Sequence, residues 1–452
     1  MSTGLRILFV TAGYPPESLG GVELHVQGLC RALMAAGHAP HVLARSGRPG
    51  LGHLRTQRET VEDVPVTRVG NTFVDATSVQ ALVAHEGIAD VFSAELARLR
   101  PDVVHVHHLT CLSTLIPERC RAAGVPVLMT LHDFWMGCPR GQRITAALDL
   151  CPTIRLQKCL PCLRELWPHL LGRGASPERT AGERDARDLA RLEEYHATVR
   201  AALSACDLLV TPSAFMRRMY VDYGVPESRI VVVENGLPVE RWRRLLQDRP
   251  RRRQAAGPLR VAFIGSVLPS KGPHLLIEAV RRLGDPAAFR VDVWGEVLPF
   301  HNDRGYGGRL EQARRGLEGS VTLHGAYRNE DLPEILSRAD AVVVPSLWYE
   351  AFGLTVREAF LAGVPVVVAG HGALAEAVED GRTGLHFAPG DAASLADALR
   401  RLRDEPALAE RLAAAAAGRV RDETGAARQL LGLYDRVRTA GPGGPAAPGA
   451  RA

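Results

Sequence analysis

The sequence predicts an α/β protein of two Rossmann-like, doubly wound parallel-sheet domains. Short apolar runs bounded by Gly or Pro alternate with segments of helical periodicity, the pattern of strands buried on both faces. The plan occurs twice, on either side of a stretch rich in Arg, Pro and Gln. At 452 residues the chain exceeds what one hydrophobic core ordinarily serves.

In the first half, RILFVTAG opens the chain as a strand and GGVELHVQGLCRALMAAGH reads as the helix after it. PHVLA, PDVVHVHH, VPVLMTLHD and CDLLVTPS follow as strands. The second half repeats the plan with LRVAFIGS, FRVDVWGE, SVTLHGA, AVVVPS and VPVVVAG, separated by helical patterns such as GPHLLIEAVRRL and DLPEILSRAD. After about Asp391 the chain reads as helical. These assignments set a first domain at 1–236 with a Cys-rich insertion at 138–200, and a linker at 237–258. A second domain then spans 259–425, a terminal helix at 426–438 packs back on the first domain, and the Pro/Gly-rich tail 439–452 is disordered. Two such domains facing one another bring the carboxyl ends of both sheets to a shared cleft, where open α/β sheets bind ligands.

Composition excludes several classes. With 46% hydrophobic and 23% charged residues the chain is an ordinary globular one, and no run of eighteen apolar residues suggests a membrane span. MSTGLRILFVTAGYPPE lacks a cleavage-site pattern and reads as a first strand, so the expected location is the cytoplasm. A net charge of +5 is too small to imply nucleic acid. Its excess is concentrated around Arg241, Arg243, Arg244, Arg249 and Arg251–Arg253, a solvated linker or, as the sharper alternative, a patch for an anionic acceptor or for anionic lipid at the inner membrane face.

Three Gly-containing turns precede helices. Gly20 and Gly21 lie in GYPPESLGGVE, Lys271 in GSVLPSKG, and Gly353 in YEAFGLTVREA. Glycine admits close backbone approach, and a helix N-terminus offers unsatisfied N–H groups and a positive dipole. Three such turns, one with a lysine, point to a diphosphate. The chain has no dinucleotide fingerprint after its first strand, no P-loop and no Asp-x-Asp pair. Lys271 and the helix dipoles would therefore neutralise the anion without a catalytic metal. Glu350 and Glu358 flank Phe-Gly-Leu in an otherwise apolar stretch. In one helix, eight residues would hold them roughly 12 Å apart. They therefore form no tight acid–base pair, and suit the two ends of a long ligand.

This pattern resembles the family-four retaining glycosyltransferases of the GT-B fold. The Gly20–Gly21 turn, TLHD with His132, VVENG with Asn235–Gly236, IGSVLPSKG, LHGAY and the E-x-F-G-L-x-x-x-E run carry the resemblance, from Leu5 to about Val437. It implies a first domain facing the acceptor and a second binding a nucleotide-diphosphate sugar. Glu358 would accept the ribose hydroxyls and Glu350 would contact the transferred sugar. Phe352, Gly353 and Leu354 would offer backbone N–H groups, and Lys271 would pair with the diphosphate. Backbone near Gly325 and Tyr327 would face the base, and His132 would lie beside the sugar. His132, Glu350 and Lys271 are the implied catalytic group. The implied mechanism is front-face displacement with retention, in which the departing phosphate takes the acceptor's proton. A double displacement would need a carboxylate nucleophile, and Asp133, the one nearby candidate, reads better as a loop or cap residue. The resemblance breaks at Ser266, where many members carry Arg; Arg260 and Arg328 are candidate substitutes.

Cys138, Cys151, Cys159 and Cys162 are spaced C-x12-C-x7-C-x2-C. In a cytoplasmic enzyme this suggests a structural tetrathiolate zinc, with an iron–sulfur cluster or packed free thiols as alternatives. His105, His107 and His108 end a strand and read as packing or hydrogen-bonding groups, with metal ligation the alternative reading. The expected function is sugar transfer to a glycan, lipid-linked or small-molecule hydroxyl. The competing expectations are a non-catalytic nucleotide- or glycan-binding protein, and a phosphorylase or epimerase of the same architecture.

Overall fold

A computed structural model describes residues 4–172, 178–247, 257–301 and 303–440. The chain divides into two compact units. The first comprises 1–142, 152–237 and 422–452, and the second 143–151 and 238–421.

The first unit holds β1 (Arg6–Thr11), α1 (Gly21–Ala35), β2 (Ala39–Ser46), β3 (Thr56–Val61), β4 (Val64–Gly70), α2 (Val79–Val83), α3 (Glu86–Leu99), β5 (Val103–Val106), α4 (Ile116–Ala122) and β6 (Val127–Thr130). It continues with α5 (Leu156–Leu166), α6 (Ala181–Ala205), β7 (Leu208–Thr211), α7 (Ala214–Asp222) and β8 (Ile230–Val232). Its eight strands run in the order β3-β4-β2-β1-β5-β6-β7-β8. The pairs are parallel except β3 with β4, an antiparallel edge hairpin. β5, β6 and β7 are buried along their whole length, so both faces are covered and apolar residues run unbroken. The sequence reading omits β3, β4 and β8.

The second unit holds α8 (Val239–Gln247), β9 (Leu259–Ile264), α9 (Pro273–Arg282), β10 (Phe289–Trp294), α10 (Tyr306–Arg314), β11 (Val321–Gly325), α11 (Leu332–Ser337), β12 (Ala341–Val344), α12 (Leu354–Leu361), β13 (Val366–Ala369), α13 (Gly372–Ala377), β14 (Leu385–Phe387), α14 (Ala392–Asp404) and α15 (Pro406–Ala416). Its six strands are all parallel, in the order β11-β10-β9-β12-β13-β14. Val342, Val343, Val366, Val367 and Val368 form the centre of its core. Each such buried valine contributes about 1.5 kcal/mol or more.

Part of the expected linker is ordered structure. Residues 239–247 are α8, because Trp242 inserts into the second unit's core while the arginines on either side face solvent. The remainder of the arginine-rich stretch, 248–256, and the end of the tail, 441–452, lie outside the described residues. The last helix, α16 (Glu423–Ala440), belongs to the first unit, where Leu430, Leu433 and Tyr434 join the core beside Phe9, Leu29 and Leu33. It starts three residues earlier than the sequence suggests. Residues 143–151, expected in the first domain's insertion, fall with the second unit. Among the described residues no helix is long and apolar enough to cross a membrane.

Candidate functional site

In the second unit the expected donor residues gather at the carboxyl ends of β9, β11 and β12. The turn after β9 carries Lys271 to the start of α9. Gly272 sits there at φ 71°, and a Cβ on it would collide with the Pro345 carbonyl oxygen at the end of β12. Glycine is required here by both conformation and space. The consequence is that Lys271 stands against the turn after β12, where its Nζ donates to Glu350 Oε1 at 2.7 Å.

Glu350 is 8% exposed. Its Oε1 also accepts from Ser346 Oγ at 2.6 Å and Trp348 Nε1 at 2.9 Å. All three donors crowd onto one oxygen, and Oε2 receives none of them. Burial pushes this carboxyl up, but Lys271 and the Ser346 and Trp348 donors outweigh it and hold Glu350 below the usual carboxylate range. The ammonium of Lys271 lies 5.0 Å from the Trp348 ring centroid, a second restraint on its position.

Gly353 caps α12 from the left-handed region, at φ 76°. Its helix therefore starts directly behind Phe352-Gly353-Leu354, and the first N–H groups have no partner inside the helix. The turn is braced from within. Arg357, buried one turn into α12, donates to the Phe352 carbonyl and stacks on the Phe352 ring at 3.7 Å. Glu358 differs from Glu350 in every respect. Its carboxylate has no hydrogen-bond or ion-pair partner among the described residues, and burial alone pushes it up to about 7. Burial, and after it Glu358, raises the Tyr327 hydroxyl. Tyr327 also lines a cavity of about 380 Å³ with Asp292, Trp294, His324 and Ile335, in which the Trp294 and His324 rings stack at 3.8 Å. Gly325 ends β11 at φ 79° beside it.

Neither proposed substitute for the missing arginine at Ser266 is free to act. Arg260 is bound through its Nε and Nη2 to Asp340, each at 3.0 Å. Arg328 pairs with Glu330 and Asp331.

In the first unit Gly20 caps α1 with ordinary extended geometry, φ −70°, and Gly21 begins the helix. The preceding loop is held by Arg68, a fully buried arginine on β4. It donates to the carbonyls of Tyr14 and Pro15 at 2.9 and 2.7 Å, and its charge meets Glu59 and Glu17. His132 follows β6, and its Nε2 lies 2.8 Å from Nδ1 of His107. Desolvation, with smaller contributions from neighbouring histidines, keeps both rings well below the usual imidazole value. His105, beneath them, is fixed between Tyr434 and Thr130. Asp133 is fully engaged as a turn residue, with Oδ1 accepting from Trp135 N at 2.8 Å and Oδ2 facing His108 at 3.1 Å. It is not poised as a nucleophile.

The tetrathiolate reading of Cys138, Cys151, Cys159 and Cys162 gains no support from the ligand groupings. Among the described residues, the groups of three or more His, Cys, Asp or Glu ligand atoms within 4.8 Å of one another contain no cysteine. Cys159 and Cys162 lie three residues apart on helix α5, and so on one face of it. Sequence reading had no means of finding Ser346, Trp348 and Arg357 as site residues. Each is unremarkable in type, and only the turn around Glu350 gives it a role.

Residues 19–241 match Glycosyltransferase Family 4, and residues 247–419 match Glycosyl transferases group 1. The chain is 29% identical over 431 residues to a glycogen synthase of Mycobacterium tuberculosis, covering 92% of this chain and 90% of that protein. Its fold resembles sucrose-phosphate synthase of Thermosynechococcus elongatus with a TM-score of 0.68 at 21% identity, over 96% of this chain and 100% of that one. It also resembles Anabaena HepE, solved in complex with UDP and glucose, with a TM-score of 0.63 at 19% identity, over 95% and 99% of the two chains.

Proposed function

This chain is a glycosyltransferase of the GT-B fold, belonging with the group 1 and family 4 enzymes, and we propose that it moves a sugar from a nucleotide-diphosphate sugar to an acceptor hydroxyl with retention. The observation that carries the donor reading is the asymmetry of Glu350. Three donors saturate Oε1 and leave Oε2 to accept a sugar hydroxyl, while the carboxylate stays ionised in a buried site. Lys271 stands between Glu350 and the expected diphosphate position. The N–H groups of Phe352, Gly353 and Leu354 face the same anion, and Glu358, one turn on, takes the ribose hydroxyls. The cavity beside Tyr327 and Gly325 is the expected place for the base. Retention by front-face displacement needs no carboxylate nucleophile, in keeping with Asp133, whose two oxygens each already face a partner in its own turn. The protein's work is then electrostatic: it stabilises the charge that builds on the departing diphosphate. His132 and the Gly20–Gly21 helix start belong to the acceptor-side unit in this reading. The UDP bound by HepE and the glycogen synthase relative support a nucleotide donor and a glycan acceptor, with lipid-linked and small-molecule acceptors in the same chemical class.

The test is incubation with UDP-, GDP- and ADP-sugars, with and without glycan acceptors, followed by nucleotide release. Release with one donor and not the others is expected. Glu350→Gln should lower turnover at least about 100-fold, the scale of a lost transition-state contact, while nucleotide binding survives. Silence with every donor would return the chain to a binding role.

A further inference from the structure

We propose that His25, His107 and His132 of the first unit form a binding site for a divalent transition ion of the zinc class. One ring nitrogen of each lies within 4.8 Å of the other two. The rings come from three elements whose backbones the sheet fixes. His25 lies in the second turn of α1, His107 directly follows β5, and His132 follows β6 by two residues. β5 pairs with both β1 and β6, and the His107 N–H is bonded to the Val10 carbonyl at 2.7 Å, so His107 and His132 project from neighbouring strand ends. Ring centroids are 5.1 Å apart for His107 and His132, 5.3 Å for His25 and His132, and 5.7 Å for His25 and His107.

The His107 ring uses one nitrogen toward His132, and its Nε2 is buried with no hydrogen-bond partner. An orphaned buried nitrogen is uncommon and asks for an explanation. A metal ion supplies one, since neutral imidazole is its commonest protein ligand. With the pair's proton on His107 Nδ1, His107 Nε2 and His132 Nε2 both hold lone pairs, and the ion takes that of His132 in place of the His107–His132 hydrogen bond, so binding needs no proton release. Three histidines and one open position form the ligand set of many zinc sites, and imidazole also suits cobalt and nickel.

A second histidine group shows what a closed arrangement looks like. In His53, Asp75 and His85, both Nδ1 atoms accept backbone N–H groups, from Thr72 at 3.3 Å and Ile88 at 3.2 Å. Each Nε2 must therefore carry the hydrogen it donates to Asp75, at 3.1 and 3.0 Å. No lone pair is left for an ion, and this group is a hydrogen-bond network. Among the described residues no backbone N–H donates to a ring nitrogen of the His25 group to fix its tautomers against metal.

The binding claim stands apart from the transferase reading. Only its consequence rests on that reading, because His132 is there the residue beside the sugar and an ion held by it would inhibit transfer. The experiment titrates chelator-treated full-length protein with Co²⁺ and Zn²⁺. One equivalent should bind with visible Co²⁺ bands and without the intense near-ultraviolet absorption of thiolate ligation, and Zn²⁺ should displace it. His107→Gln and His25→Gln should each weaken binding at least 100-fold with unchanged far-ultraviolet circular dichroism, and His53→Gln should leave it as it was. Thiolate absorption, retention of the site in His107→Gln, or no saturable binding would overturn the proposal. Loss in His53→Gln equal to that in His107→Gln would overturn it as well. In a nucleotide-release assay Zn²⁺ should inhibit the wild type and spare residual turnover of His25→Gln. Metal binding without inhibition would count against His132 lying at the sugar and leave the ion site standing.

Discussion

Replacing Glu358 by Gln should make the ligand-free protein more stable at alkaline pH while weakening its hold on nucleotide. Burial raises this carboxyl from 4.5 to about 7, and no cation or donor offsets that burial. A raised carboxyl binds its proton more tightly in the folded state. Below 4.5 both states are protonated and the group costs nothing. As pH rises from 4.5 to 7 the unfolded state ionises first, and above 7 the full cost is in place. Linkage makes that cost about 1 kcal/mol at pH 5 and about 3 kcal/mol at pH 8. Glutamine keeps the shape and carries no titration. The difference in unfolding free energy between Glu358→Gln and wild type should therefore grow by about 2 kcal/mol from pH 5 to pH 8, all other groups titrating alike in both. Urea unfolding at the two pH values, without ligand, measures it. The same variant should lose about 10- to 100-fold in nucleotide affinity, the worth of hydrogen bonds to a charged acceptor. A pH-independent difference, or a variant less stable than wild type at pH 8, would refute the reasoning.

Lys271→Met strands the buried Glu350 carboxylate, so it should cost about 3–5 kcal/mol in unfolding experiments and raise the pH at which Glu350 titrates, as well as abolishing transfer. Arg68→Met leaves Glu59 and Glu17 facing two unbonded carbonyls and should cost a similar amount, about 3–5 kcal/mol, with lost order in the loop before α1 read by hydrogen exchange. Burial lowers His108, but the Asp133 carboxylate outweighs it and raises the ring above its usual 6.5. Its stabilisation is then complete below pH 6.5 and lost as pH rises through the folded value. Asp133→Asn should remove that dependence, seen as the His108 ring titrating lower by NMR.

The parallel core was legible because buried strands such as Val366–Ala369 are apolar without interruption and end at Gly or Pro. The β3–β4 hairpin was not. Thr56–Val61 is polar and exposed, and its turn uses Glu62 and Asp63 at positive φ, where the usual sequence signal is Asn-Gly. Three-residue strands such as β14 are too short to show a period. At the site, the two glutamates and Lys271 could be named from type and spacing. Their partnership could not, since Lys271 and Glu350 lie 79 positions apart and meet only because Gly272 lets two turns touch. Arg68 shows the reverse difficulty. An arginine in VPVTRVG reads as an interruption of a strand, and its two carboxylates and two carbonyls come from β3 and the loop after β1.

The charge balance of the donor residues follows from these pairings. Arg260 lies near the start of β9, five residues and about 16 Å of extended strand from Gly265, and its fork is filled by Asp340. Arg328 is bound among acidic neighbours. Of these three cations Lys271 is the one the proposed reading leaves for a diphosphate, and in the ligand-free protein Glu350 already holds it. In the proposed reading an arriving diphosphate would compete with Glu350 for this ammonium, and Ser346 and Trp348 would bear on the outcome. They would keep two hydrogen bonds on Oε1 as Lys271 turned toward phosphate, which favours an ionised Glu350. The Ser346 and Trp348 donors would thus lessen, without removing, the dependence of Glu350 on Lys271.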